Sequence, residues 1–427
     1  MSIPAPDWLM QADHYNDVDP TNSAAGADHG CVFSVVSTTK TSDKRARMIA
    51  ALHDIGCRAL PYVSFMDTFT DTRGWEEEGT GRLPFTADLA DCLLVDKDGR
   101  FVNTLMDGTW RWNRYLVCVN SKKFVEEMLK HVQELLDMGA DGLFVDNVGP
   151  QGECYGHGLR VGYFDRYRTV LAQNPHIQQY EPSLSELPLH THLDPDLNQS
   201  EAYSRFIQQA RDLVKDRDPD NVVVLNGKGP EYVDQADGCM YEHFLCSWAW
   251  EGRRIHKGKG ETEEVTWTQF KEKTGRFQDV VAKGKAVVAL SFLGRTTTSI
   301  KDDAFFCYAA ARLLGFSWYG SFGAASHMGF PWSDDAAVLR QVQLGAPMGD
   351  LQTIGQVDYR LFAEGIMAIN DGDSDQEVAI PLVDHLANSE FTDVYDGSLL
   401  TPQAGALRVT IPSQSGRVYQ GKRDSAA

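Results

Sequence analysis

The chain has 427 residues, with 60 acidic against 40 basic side chains (formal net charge -20), and is 42% hydrophobic, 10% aromatic and 23% charged. Those proportions describe a globular protein and exclude wholesale disorder, collagen and coiled coil. So acidic a surface repels polyphosphates and anionic headgroups, which argues against nucleic-acid and membrane partners. The one basic stretch, Arg253 to Lys259, runs straight into Glu261, Glu263 and Glu264 and reads as a solvated loop. No apolar run approaches the roughly 20 residues of a membrane span. Residues 1–8 carry no export-signal pattern, and the eight cysteines are scattered without CxxC or finger spacing. Buried reduced thiols and a cytoplasmic location are the expectation.

Taken in chain order, short β-rich runs alternate with helical stretches, the pattern of a parallel sheet with crossover helices. A weak first strand is expected near Trp8–Gln11, followed by Cys31–Val36, Ala59–Phe65, Gly142–Asp146, Val222–Asn226, Gly238–Glu242, Ala286–Phe292 and Phe316–Tyr319. Between them, Ser121 to Met138 places Phe124, Met128, Leu129, Val132, Leu135 and Leu136 on one helical face. Ser121 suits its N-cap and Gly139 its C-cap. Asp302–Leu314 reads as a further helix. The fold class is therefore α/β, a (β/α)8 TIM barrel over 1–349 with a long insertion at about 150–205. Within that insertion, Gln178–Gln199 is aperiodic and reads as loop. From 350 to 427 short alternating runs separated by Asn, Asp, Gly and Pro predict a small C-terminal antiparallel β-sandwich domain.

Polar residues at the last position of a barrel strand face the cleft where such folds do their chemistry. By that placement the strands nominate Asp67, Asp146, Asn226 and Glu242, with Asn147 beside Asp146 and Arg295 just beyond the seventh strand. Asp146 closes an apolar strand, and Gly149-Pro150 so soon after it argues against a helix N-cap role. Glu242 stands alone in the run Cys-Met-Tyr-Glu-His-Phe-Leu, an environment that favours a general acid. A structural ion pair with Arg295 or Arg114 is the alternative for it. Two strand-end carboxylates suggest cleavage of a glycosidic bond, in which one protonates the leaving oxygen while the other attacks C1 or activates water. Trp112, Trp248, Trp250 and Trp318, with Trp110, Tyr319 and Trp332, would then offer ring faces to a sugar.

His190-Thr-His192 lies in irregular sequence, and Asp371-Gly-Asp-Ser-Asp375 reads as a turn rather than a calcium loop. No GxGxxG, P-loop or GxSxG occurs, so no metal and no cofactor is expected. Two other classes stay open: a non-catalytic carbohydrate-binding barrel, and a metal-dependent hydrolase or polysaccharide lyase using His190, His192, His243 or His327.

The segments Leu116-Val-Cys-Val-Asn-Ser121 and Met138-Gly-Ala-Asp-Gly-Leu-Phe-Val-Asp-Asn-Val-Gly149 resemble the fourth-strand region of the endo-α-1,4-polygalactosaminidases and related hypothetical glycosyl hydrolases. Val224-Leu-Asn226-Gly227, Asp237-Gly-Cys-Met-Tyr-Glu242 and the Tyr359-Arg-Leu-Phe362 to Asn370 stretch resemble later parts of the same barrels. The resemblance implies an Asp on strand four and a Glu on strand six as the catalytic pair. The expectation is thus a retaining glycoside hydrolase or transglycosylase acting on an oligosaccharide. Asp146 is the nucleophile and Glu242 the acid/base, while Asn147, Asn226, Asp67 and Arg295 hold hydroxyls or tune the carboxylates.

Overall fold

Apolar strands and one-faced helices bury their surfaces only when the two kinds of element cover each other. The computed structural model describes residues 4–10, 12, 15–18, 32–36, 42–69, 83, 89, 92–94, 96, 102, 114–149, 154, 198–246, 254–258, 261–293, 300–321 and 337–421. Its first eight principal strands are β1 (Tyr15–Val18), β2 (Phe33–Val36), β3 (Arg58–Ser64), β4 (Gly142–Val148), β5 (Val222–Gly227), β6 (Gly238–Tyr241), β7 (Ala286–Phe292) and β8 (Ser317–Ser321). Helices α1 (Ser42–Asp54), α2 (Lys122–Asp137), α3 (Gln199–Arg217), α4 (Trp267–Lys273), α5 (Gly275–Ala282) and α6 (Ile300–Leu313) alternate with them. The fold is that of a (β/α)8 barrel followed by antiparallel strands. Contacts divide the chain into two units: Val35–Asp54 with Arg58–Cys239, and Met1–Ser34 with Ile55–Cys57 and Met240–Ala427.

In the first unit β3, β4, β5 and the start of β6 run parallel as successive neighbours. Gly142 opens β4 so close to β5 that a Cβ there would lie 1.9 Å from the Val222 carbonyl oxygen, at a φ of +145°. Only glycine admits that approach. The helix read from periodicity forms as α2: Ser121 Oγ accepts from Phe124 N, and Gly139 follows the Met138 C-cap at φ +98°. Helix α3 begins at Gln199, inside the stretch expected to be loop, because Asn198 caps it by accepting from Glu201 N at 2.9 Å. Its apolar face brings Phe206 against Phe65 in a 4.4 Å stack. The remainder of Gln178–Gln199 lies outside the described residues.

In the second unit the expected first strand, Trp8–Gln11, is instead a helical turn, Asp7–Met10. Leu9 and Met10 both donate their N–H to Pro6 O, and Asp7 sits favourably at the amino end. The true strand, β1, contains Asn16 and Asp17 and so showed no apolar run. The basic stretch is likewise a strand rather than a loop: Arg254–Gly258 pairs antiparallel with Glu261–Glu264, and Arg254 meets Glu264 at 3.1 Å. That cross-strand pair of opposite charges supports so polar a hairpin.

Strands β7 and β8 are parallel neighbours, and α6 between them is buried from Asp303 to Leu313, consistent with its run of Ala, Phe and Leu. The antiparallel strands that follow are β9 (Pro347–Ile354), β10 (Val357–Phe362), β11 (Gly365–Asn370), β12 (Gln376–Pro381), β13 (Phe391–Asp393), β14 (Leu399–Leu400), β15 (Ala406–Ile411) and β16 (Ser415–Gly421). They form a six-stranded sheet, β9-β10-β11-β16-β13-β14, and a two-stranded one, β12-β15. Val357, Ile366 and Tyr419 of the first sheet and Val378, Ile380, Leu407 and Ile411 of the second share one apolar core. Gly416 lets α6 reach β16, since a Cβ there would lie 2.6 Å from Phe305 O. Asp371 to Asp375 is the turn between β11 and β12, its carboxylates accepting from Thr268 N and Ser413 N.

Two buried charges in the first unit have opposite energetics. Asp237, from the DGxxxE segment, is fully buried and satisfied: Arg211 Nη2 at 2.9 Å and Lys215 Nζ at 3.2 Å meet Oδ1, and Val223 N donates to Oδ2 at 2.9 Å. Arg45 occupies the apolar stripe of α1 with Met48, Ile49 and Leu52, and its Nε and Nη2 have no hydrogen-bond partner among the described residues. Burial alone pulls its pKa down to about 10. The lowered value means that the folded state holds this proton less tightly than the unfolded chain, so the charge subtracts from stability at neutral pH. Removing one partner of a buried pair typically costs about 3–5 kcal/mol, and Asp237→Ala is expected to fall in that range. Arg45→Met, which keeps the stem and discards the charge, is expected to stabilise the fold by about 1–3 kcal/mol. Urea unfolding midpoints of both variants measure these opposite signs.

Candidate active site

Parallel pairing in the first unit places Ser64, Asp146 and Asn226 at the carboxyl ends of β3, β4 and β5. Asp146 owes its aim to a local irregularity. Val145 pairs with Leu225 and Val148 with Gly227, so Asp146 and Asn147 together oppose the single residue Asn226. Such a two-for-one bulge bends the strand and redirects a side chain. Asn147 takes the left-handed conformation, φ +55°, which Asn tolerates far better than other non-glycine residues. Gly227 opposite has φ +73°, and a Cβ there would lie 3.2 Å from Val148 N.

Three side chains from three adjacent strands converge on the Asp146 carboxylate. Tyr62 Oη, two residues before the end of β3, donates to Oδ2. Asn147 Nδ2 also donates to Oδ2, at 3.0 Å, and approaches Ser64 Oγ at 3.5 Å. Asn226 Nδ2 donates to Oδ1 at 2.9 Å, and its own Oδ1 accepts from Gly227 N at 2.7 Å, which locks the amide orientation. The carboxylate is half-buried and Asn226 is nearly wholly so. Nearby, burial pushes the Tyr203 phenol well up, and the charges of Asp146 and Asp67 act in the same direction, so it stays protonated.

Asp67 does not sit on the barrel strand. β3 ends at Ser64, and Asp67 starts a short strand, Asp67–Phe69, that pairs with Arg114–Leu116; its side chain is fully buried. The strand-end residues that sequence reading passed over are Tyr62 and Ser64. Alternation along β3 puts both on the Asp146 face, and the polar Ser64 after Pro-Tyr-Val was the available signal.

Glu242 belongs to the second unit, as the first residue beyond β6. Its side chain is about one-third exposed, and His243 Nε2 lies 3.8 Å from Oε1. The turn there is tight: His243 and Leu245 have φ of +59° and +61°, held by Phe244 N to Leu290 O and Arg254 N to Leu245 O, each at 2.8 Å. A leucine in that conformation is strained, and such strain concentrates at functional turns. Trp318 is fully buried, with its indole N–H donating to Ser291 Oγ at 3.0 Å and its ring against Tyr308, so its faces are covered by protein. Trp112, Trp248, Trp250 and Arg295 lie outside the described residues, as do Trp110, Trp332, His190, His192 and His327. Among the described residues, no three His, Cys, Asp or Glu side chains gather as a metal would require.

The fold recurs among glycoside hydrolases. Solved structures that share it include a maltogenic α-amylase, AmyB, from Thermotoga neapolitana, 8% identical over 97% of this chain and 100% of that one, with a TM-score of 0.55. The Nostoc punctiforme debranching enzyme is 12% identical over 98% and 100%, TM-score 0.52. The α-amylase from Geobacillus thermoleovorans, complexed with acarbose, is 9% identical over 98% and 100%, TM-score 0.51. At these identities the likeness is one of fold. No family model matches the chain, and no curated protein does.

The bulge sets a test of its own. Asn147→Val forces a β-branched residue into positive φ and is expected to destabilise the protein by about 1–2 kcal/mol more than Asn147→Gly, which accepts that conformation. Both variants lose the amide donor, so the difference between their denaturation midpoints isolates the backbone conformation.

Proposed function

We propose that this protein is a glycoside hydrolase, retaining in mechanism, in which Asp146 is the nucleophile and Glu242 the acid/base. The observation that carries the reading is the Asp146 carboxylate at a parallel-strand end, held by Tyr62, Asn147 and Asn226. An ordinary surface carboxylate has no need of three oriented donors from three strands, whereas a nucleophile must be aimed. Asn147 and Asn226 each direct an amide N–H to Asp146, so part of their role is to orient that carboxylate. Glu242, partly desolvated at the strained turn after β6, would give its proton to the leaving oxygen and later take one from water. Arg295, Trp248 and Trp250 follow the strand ends in sequence and remain the candidates for holding the sugar. The fold shared with α-amylases and the resemblance to polygalactosaminidases support α-linked oligosaccharides as the substrate class.

The experiment is a product screen by chromatography with α-glucan and galactosamine oligomers, comparing wild type with Asp146→Asn. Cleavage by wild type and a loss of about 10³-fold or more in the folded variant is expected. Proton NMR of the first product is expected to show the anomer of the substrate; the opposite anomer would reassign Asp146 as the base of an inverting enzyme. Equal cleavage by both proteins would move the nucleophile elsewhere.

A further inference from the structure

We infer that Tyr62 is a positioning residue for the reaction: with Asn147 it anchors Oδ2 of Asp146 and thereby leaves Oδ1 as the oxygen that bonds to the sugar. The inference rests on the reading of Asp146 as nucleophile and goes beyond it by naming the reacting atom and the group that selects it. A carboxylate offers about four lone-pair directions, two on each oxygen. On Oδ2 both are taken, one by the Tyr62 hydroxyl and one by Asn147 Nδ2 at 3.0 Å. On Oδ1, among the described residues, Asn226 Nδ2 alone donates, at 2.9 Å, which leaves that oxygen a lone pair for attack.

The strand register explains why a tyrosine does this. Ser64 is the residue paired with Asp146, and its short hydroxyl meets the Asn147 amide instead. Two residues earlier on the same face, Tyr62 is paired with Phe144, and its ring lies 6.2 Å from that of Phe144, centroid to centroid. A phenol reaches forward along the strand by about the length of two residues, which brings its O–H to the carboxylate. The hydrogen bond is of the charge-assisted kind, O–H to carboxylate, the strongest class available to a neutral side chain.

In the first step an Oδ1 lone pair forms the bond to C1 as the bond from C1 to the leaving oxygen breaks, and the acid proton goes to that oxygen. Oδ2 then becomes the carbonyl oxygen of the ester and loses most of its charge. In the second step water attacks C1, its proton passes to the base, and the C1–Oδ1 electron pair returns to the carboxylate. Charge reappears on Oδ2, and the Tyr62 O–H strengthens its hold as the ester breaks. Tyr62 therefore assists departure of the carboxylate as well as its aim.

Tyr62→Phe removes the hydroxyl and keeps the ring. On whichever maltooligosaccharide or galactosamine oligomer the protein cleaves, it is expected to lower kcat by about 10- to 100-fold, with KM unchanged or lower because the glycosyl-ester accumulates. Intact-mass analysis after acid quench is expected to show that adduct, mapped to the peptide containing Asp146. High-resolution crystal structures of the two proteins are expected to show the Asp146 carboxylate rotated in the variant, with the strands unmoved and the thermal midpoint retained. A carboxylate left in its wild-type plane, or a kcat loss matched by a rise in KM, overturns the inference. If the nucleophile reading is what fails, Asp146→Asn keeps wild-type turnover, and the carboxylate rotates in Tyr62→Phe without any change in kcat. The crystallographic comparison decides the positioning role whether or not turnover is detected.

Discussion

One extra residue in β4 sets the geometry on which the candidate site depends. A regular parallel ladder would send Asp146 and Asn147 to opposite faces, and only one of them could meet Asn226. Because both oppose Asn226, the strand turns, Asn147 enters the left-handed region, and its amide folds back onto the carboxylate beside it. The neighbouring strands then have fixed tasks. β3 supplies a long donor from two residues back, and β5 supplies a short one whose orientation is locked by its own backbone. Removal of any one of the three donors leaves the carboxylate less firmly oriented at the end of its strand.

The scaffold around that carboxylate is tied together for reasons that have little to do with chemistry. Gly142 brings the starts of β4 and β5 within contact distance, and Asp237 ties α3 to β5 through an arginine, a lysine and a backbone N–H. Asp237 is the first residue of the DGxxxE segment whose last is Glu242, so that motif joins a structural anchor to a candidate acid. The same residue types in one short stretch thus have different duties. Asp237 is saturated by cations in the interior, whereas Glu242 emerges partly exposed at a strained turn, with the His243 ring beside its oxygen. Arg45 shows the converse economy, a charge in an apolar stripe where a methionine would serve the fold better.

Much of the fold was legible before any coordinate. Seven of the eight expected barrel strands form within two residues of their expected ends, because a strand buried on both faces must be a continuous apolar run. β1 was misplaced since Tyr-Asn-Asp-Val has no such run, and Pro6 makes the preceding apolar residues a helical turn instead. Among the candidate site residues, Asp146, Asn147 and Asn226 were nominated by one rule, that polar residues at strand ends face the cleft, and the structure brings these three together. That rule overreached at Asp67, because β3 stops three residues earlier, and it passed over Tyr62, an amphipathic residue in mid-strand that composition does not mark. Trp318 looked like a sugar platform in sequence and is core in space, since a strand-end tryptophan has no local signal for which way its ring turns.

The sequence by itself determined the (β/α)8 class, the antiparallel strands after it, the main crossover helix with its Ser121 cap, and the nomination of Asp146 and Asn226. Each of these follows from period, capping and strand-end placement, which are properties of neighbours along the chain. Tertiary structure alone decided that Asp146 and Asn147 share one partner, that Tyr62 reaches Oδ2, and that Asp237 is neutralised by Arg211. Those facts depend on pairing register and on residues about 80 positions apart in the case of Tyr62, Asp146 and Asn226. Local propensity carries no information about register, because it is set only when whole strands settle against one another.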